Sequence, residues 1–64
     1  MIRVGSIVQW VLPSIGAVDE DIGVVVEMHA DRPDCGPPYY SVYWFEKKRV
    51  YDFHFAENLK ILVP

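Results

Sequence analysis

His29, Asp31, Asp34 and Cys35 lie close together, and His54 adds a second imidazole further along the chain. These are metal-ligating residue types. A structural zinc site, however, needs four ligands in tetrahedral array, usually with cysteines paired at short spacing. One thiol in a proline-rich stretch does not supply that set, and the segment reads as a polar turn whose aspartates bond their own backbone. Cys35 with His29 or His54 also provides the two residue types of a nucleophile and its base. Such a pair needs in addition an orienting group, an oxyanion site and a cleft of roughly 300 Å3 or more. A chain of 64 residues leaves little room for one, and it has no glycine-rich phosphate loop. The expectation is therefore a non-enzymatic protein without catalytic residues, metal, cofactor or small-molecule substrate.

Lys47-Lys48-Arg49 beside Tyr43 and Phe45 has the ingredients of a single-strand nucleic-acid binder, basic residues next to stacking rings. The net charge of −3 opposes that reading, because phosphate binders carry a basic field that replaces condensed counterions. Lys47-Lys48-Arg49 is instead expected at a solvated hairpin tip, and nucleic acid is not the expected partner.

The aromatic residues are the most informative. Trp10, Tyr39, Tyr40, Tyr43, Trp44, Phe45, Tyr51, Phe53 and Phe55 exceed what a core of this size can enclose. Surplus rings either cover the ends of the fold or form an aromatic surface of the kind enriched at protein interfaces. The same rings with Asp19, Glu20 or Asp21 would also make a cage for a cationic ligand.

The elements that position these residues follow from the turn-formers. Ser6 to Leu12 is apolar and β-branched, and Pro13-Ser14-Ile15-Gly16 breaks it, with Asp19-Glu20-Asp21 continuing a polar loop. Ile22 to Met28 reads as a strand, since valine runs favour extended backbone. Asp31 to Pro38 carries Pro33, Gly36, Pro37 and Pro38, which excludes regular structure there. Tyr39 to Phe45 and Arg49 to Phe55 read as strands around a tight turn at Glu46-Lys47-Lys48. Ala56 to Leu59 suits one helical turn, and Lys60 to Val63 a last strand. No helical period persists, so the fold class is all-β, a single domain over residues 1–64.

Alternation then assigns faces. It predicts a core of Val24, Val26, Met28, Val42, Trp44, Leu59 and Ile61, with Tyr39, Tyr43 and Phe45 facing away from Trp44. In the first strand, Ile7, Val8, Trp10, Val11 and Leu12 cannot all face inward without a bulge. Cys35 is the lone cysteine, so no intrachain disulfide forms, which fits a reducing compartment. Met1-Ile2-Arg3-Val4-Gly5 does not read as a signal peptide, and no segment approaches the roughly 20 apolar residues that span a bilayer. A cytoplasmic location is expected, with no membrane partner.

With these elements in place, the chain resembles the SH3-like small barrels, the group that includes KOW, Tudor and CarD-type modules. The resemblance rests on Val4-Gly5-Ser6-Ile7-Val8, Ile22-Gly23-Val24-Val25-Val26-Glu27, Tyr40-Ser41-Val42-Tyr43-Trp44-Phe45 and Ala56-Glu57-Asn58-Leu59-Lys60-Ile61-Leu62. It is most similar to stand-alone barrels encoded by bacteriophages. What the resemblance implies is a five-stranded barrel with a long acidic first loop, a proline-rich second loop and a short helical turn before the last strand. It also implies a small structural or accessory protein of the cytoplasm or virion, docking on a capsid, a tail or another copy of itself. The expected partner-binding residues are Trp10, Tyr39, Tyr43 and Phe45 for apolar area, with Asp19, Glu20 and Asp21 for orientation. The alternative within the same group is a nucleic-acid or transcription-complex module of KOW or CarD type, from which the acidic Asp19-Glu20-Asp21 departs.

Overall fold

A computed structural model describes residues 1–30 and 36–64. The expectation for Asp31, Asp34 and Cys35 therefore lies outside the described residues. The strands are β1 (Ile7–Leu12), β2 (Ala17–His29), β3 (Tyr39–Trp44), β4 (Arg49–Phe55) and β5 (Leu59–Val63). A 3-10 turn, Ala56–Asn58, precedes the last strand. All pairings are antiparallel, and they form one five-stranded sheet in the order β4-β3-β2-β1-β5. The sheet is not closed, and β4 and β5 stand at its two edges.

The first loop departs from expectation. Asp19-Glu20-Asp21 belongs to β2, a strand of 13 residues, and the only break after β1 is the turn at Pro13-Ser14-Ile15-Gly16. Burial alternates along its first half, with Val18, Glu20 and Ile22 exposed and Asp19, Asp21 and Gly23 turned inward, and the hairpin extends to Leu12↔Ala17. The long acidic loop is thus a long acidic strand.

The register defines two faces. One inward row runs Ile61–Val8–Gly23–Trp44 across β5, β1, β2 and β3. Val25, beside Val42, is on the same face, and Ile2, Tyr40 and Leu59 complete the buried cluster. Val42, Trp44 and Leu59 are buried as expected, with Ile61 packed partly buried against them. The phase of β2 is opposite to expectation. Val25 is the buried valine, Val24 is half-buried, and Val26 and Met28 are exposed. Val25 wins because its register partner Val42 points inward, and directly opposed residues share a face.

Gly23 also faces inward, for a steric reason. A Cβ at this position would sit 2.6 Å from Val42 Cγ1, 2.7 Å from Trp44 Cε3 and 2.7 Å from the Tyr43 carbonyl oxygen. The missing side chain is the space into which the indole of Trp44 packs. Register shifts bend the sheet between Gln9 and Val11, between Val25 and Glu27, and between Tyr40 and Val42. The first of these is the bulge that the apolar run of β1 requires. Asn58 Nδ2 donates to the Val11 carbonyl at 3.1 Å and pins the 3-10 turn against it.

Candidate functional site

On the outward face the register aligns Val63, Ile7, Val24, Tyr43 and Val50, one from each strand. Phe45 donates its backbone N–H to the Ile22 carbonyl at 3.0 Å, so Ile22 and Phe45 extend the patch by a second row. Tyr43 and Phe45 meet edge to face with centroids 5.8 Å apart. Val50 and Val63 at the ends of the row are 52% and 57% exposed, and Phe45 is 47% exposed, so the patch is open to a partner. Glu20 and Asp21 share a shallow depression with Ile22, Phe45 and Glu46, which places two of the expected acidic residues beside an expected aromatic.

Asp21 has a structural task within that arrangement. It is buried, and Oδ1 accepts the backbone N–H groups of Ile22 at 2.8 Å and Glu46 at 3.0 Å. Lys47 Nζ reaches Asp21 Oδ2 at 3.3 Å and Asp19 Oδ2 at 3.5 Å. Burial works to raise the Asp21 pKa, but the bonds from Glu46, Lys47 and Ile22 outweigh it and hold the carboxyl below its ordinary value. The same contacts raise the pKa of Lys47 against its own desolvation. The expected tight turn at Glu46-Lys47-Lys48 is present, with Lys48 at φ 56° and its N–H bonded to the Trp44 carbonyl at 2.8 Å.

Tyr39 is set apart from Tyr43 and Phe45. Its ring stacks on His29 at 4.5 Å and on Phe53 at 4.7 Å, so the outermost ring of that stack is Phe53, 67% exposed. Phe53 adopts φ 65°, a left-handed conformation that costs a non-glycine residue about 1–2 kcal/mol. Beside the stack, His29 Nε2 lies 2.7 Å from Glu27 Oε1 and 3.0 Å from Ser41 Oγ, and Ser41 Oγ donates to Asp52 Oδ1 at 2.6 Å. A hydroxyl has one proton, and here a carboxylate takes it, so His29 Nε2 faces two acceptors, Glu27 Oε1 and Ser41 Oγ, and carries its proton toward them. That polarity is the reverse of what a general base needs to activate a serine.

Trp10 and Asp19 belong to the opposite face. With Trp44, Lys47, Tyr51 and His54 they line a concave pocket of about 240 Å3 on the inward side of the sheet. Sequence alternation missed this grouping because it puts Tyr51, Phe53 and Phe55 on one side of β4. The bulge at Phe53 breaks that period, so Tyr51 and His54 oppose Val42 and Tyr40, which face inward. The visible signal was Trp10 and Trp44 on strands that both neighbour β2. Of the rings expected with the acidic residues, Phe45 and its neighbour Tyr43 share the outward face with Glu20, whereas Tyr39 is stacked apart between His29 and Phe53.

Within the pocket, Trp44 Nε1–H donates to His54 Nε2 at 3.2 Å, and the rings meet at 87°. Indole is only a donor, so His54 is neutral with its proton on Nδ1. Burial lowers the His54 pKa from its ordinary 6.5, and the Asp52 carboxylate opposes this only in part. A base with a depressed folded pKa supports the fold above its unfolded value and withdraws that support as pH falls through the folded one. The melting temperature should therefore drop on acidification from about pH 6.5 downward. His54→Gln, which keeps an acceptor that does not titrate, should flatten that limb of the profile in thermal melts followed by circular dichroism. An unchanged slope would place the titration elsewhere.

Among the described residues, no group of three or more His, Cys, Asp or Glu side chains is placed to hold a metal ion. No helix among them is long and apolar enough to cross a membrane. In comparisons with known proteins, no family model, no curated protein and no solved structure matches the chain.

Proposed function

We propose that this domain is a non-enzymatic protein-binding module of the SH3-like barrel type, docking through the outward face of its sheet. The strand order supports the fold assignment, since neighbours in the sheet follow the 5-1-2-3-4 arrangement expected of such a barrel before closure. The observation that carries the functional reading is the cross-sheet apolar row Val63–Ile7–Val24–Tyr43–Val50, flanked by Ile22 and Phe45. An apolar patch that crosses every strand of so small a domain is a typical interaction surface. A stable interface takes on the order of 800 Å2 per partner, against a total accessible surface of 4435 Å2. Tyr43 and Phe45 supply anchoring rings, and Glu20 at their border supplies orientation. The partner is a second copy or a larger assembly, of the capsid or tail kind that the resemblance implies.

The nucleic-acid alternative has less support from geometry. Of the basic cluster, Lys47 pairs with Asp19 and Asp21, and Arg49 stacks on Tyr51 at 5.8 Å.

The test is the double variant Tyr43→Ser with Phe45→Ser. Its melting temperature should stay near that of the native chain, because neither ring is in the buried cluster. Light scattering and affinity capture should show assembly by the native chain and none by the variant. A native chain that stays monomeric at high concentration, with a variant that retains every captured partner, would sink the reading. Binding should also tolerate salt, since apolar contact is weakly screened.

A further inference from the structure

The outward face divides into two halves at the boundary between β1 and β2, and the halves match. Its first row runs Val63–Ile7 on one side and Val24–Tyr43 on the other. A second row lies beside it. Lys60 is the register partner of Gln9, Gln9 is that of Ile22, and Phe45 donates its N–H to the Ile22 carbonyl. This row therefore reads Lys60–Gln9 on one side and Ile22–Phe45 on the other. Lys60 is its cation, exposed at the β5 end. At the opposite end Glu20 and Glu46 border the depression beside Phe45. Among the described residues, neither these two carboxylates nor the Lys60 ammonium takes part in an ion pair. Asp21, by contrast, is already satisfied by Lys47 and two backbone N–H groups.

We propose that the occupant of this face is a second copy of the chain, packed sheet against sheet about a two-fold axis that runs along the strands between β1 and β2. The inference rests on the outward-face docking reading and deepens it by naming the partner and its register. Such an axis exchanges β5 with β3 and β1 with β2. In the first row it sets Val63 against the second copy's Tyr43, and Ile7 against its Val24. In the second row it sets Gln9 against Ile22, and Lys60 against Phe45 with Glu20 and Glu46 alongside. Every contact is made twice, as an isologous interface requires. Sheets in this arrangement pack about 10 Å apart, with their strands within about 30° of alignment. The aliphatic stem of Lys60 then covers the Phe45 ring, and its ammonium reaches the two carboxylates. The apolar rows supply adhesion, and the paired charges select the register. An axis along β2 instead would carry Lys60 past Phe45 to the basic Lys48-Arg49 end of β4, where like charges meet.

Exchanging the charges tests this register, and Lys60, Glu20 and Glu46 are all exposed, so the variants should melt near the native temperature. Sedimentation equilibrium of the native chain should give a dimer that grows no further with concentration, because a two-fold interface is closed. Lys60→Glu sets like charges together at both contacts. Glu20→Lys with Glu46→Lys does the same with the opposite sign. Each variant alone should dimerise about a hundredfold more weakly, tenfold for each of the two contacts. Mixed in equal amounts, the two variants should form a heterodimer of near-native affinity, since every contact again pairs opposite charges. The proposal is overturned if the native chain is monomeric, if the charge variants dimerise as the native chain does, or if their mixture recovers nothing. A monomeric native chain that captures another protein, and loses it on Tyr43→Ser with Phe45→Ser, would remove this partner and leave the docking face standing. A native chain that neither pairs nor captures would remove both.

Discussion

Trp44→Ala should unfold the domain or bring it to the edge of unfolding, whereas Tyr43→Ala should not. The two residues are adjacent on β3 and have similar bulk, so the difference isolates the face on which each lies. Trp44 is 3% exposed and packs against Val42 and into the gap at Gly23, while Tyr43 is half-buried in the outward row. Truncating a buried tryptophan costs about 3–5 kcal/mol, part of it transfer free energy and part the cavity left behind. At roughly 0.05–0.15 kcal/mol per residue, a chain of 64 residues has about 3–10 kcal/mol in total. The loss is thus comparable to the whole stability at the lower end. The indole also donates to His54, and its removal leaves that acceptor without its partner. Urea denaturation of both variants checks the expectation. Equal midpoints for the two would show that the faces of β3 are wrongly assigned.

Gly23→Ala should be nearly as damaging, although it adds one methyl group to a strand where alanine is otherwise tolerated. The added carbon meets atoms at 2.6 and 2.7 Å, and one of them is the backbone oxygen of Tyr43. Side chains can rotate away from such a contact, but the carbonyl cannot move without disturbing the β2–β3 ladder. Overpacking of this kind costs typically 1–3 kcal/mol, and the backbone contact puts this position near the top of that range. For a domain of this size that corresponds to a fall in melting temperature of about 12–24 °C. A variant that melts within a few degrees of the native chain would mean that β2 and β3 are further apart at this point than described.

The same pair of residues explains what could be read from the sequence. On β3 the alternation Tyr40, Val42, Trp44 against Tyr43 and Phe45 gave the faces correctly, because large rings on both sides leave the period unbroken. On β2 it failed, because Val24-Val25-Val26 is apolar on every residue and the period carries no phase. The missed cue was Gly23, whose lack of a side chain marks the face where a tryptophan approaches. The extent of β2 was missed for a related reason. Aspartate and glutamate are uncommon in strands, yet Asp21 is held there by the backbone N–H groups of Ile22 and Glu46, the latter distant in sequence. The pocket was hidden by a bulge that only pairing with β3 reveals, while Tyr43 and Phe45 were legible as a pair. Strand boundaries around Pro13, Gly16 and the Glu46-Lys47-Lys48 turn were legible because turn chemistry is local.

The bulge at Phe53 has a consequence for how copies of this chain can meet. β4 is an edge strand, and an unbroken edge is a template on which another chain can add its own strand. The left-handed residue and the shifted register between Tyr40 and Val42 interrupt that template near its middle. An open-ended stack needs two usable edges in every copy, because each chain must both offer and receive a strand. With one edge interrupted, open-ended strand addition through this sheet is disfavoured. The strain at one phenylalanine thus guards the β4 edge against the addition of a further strand.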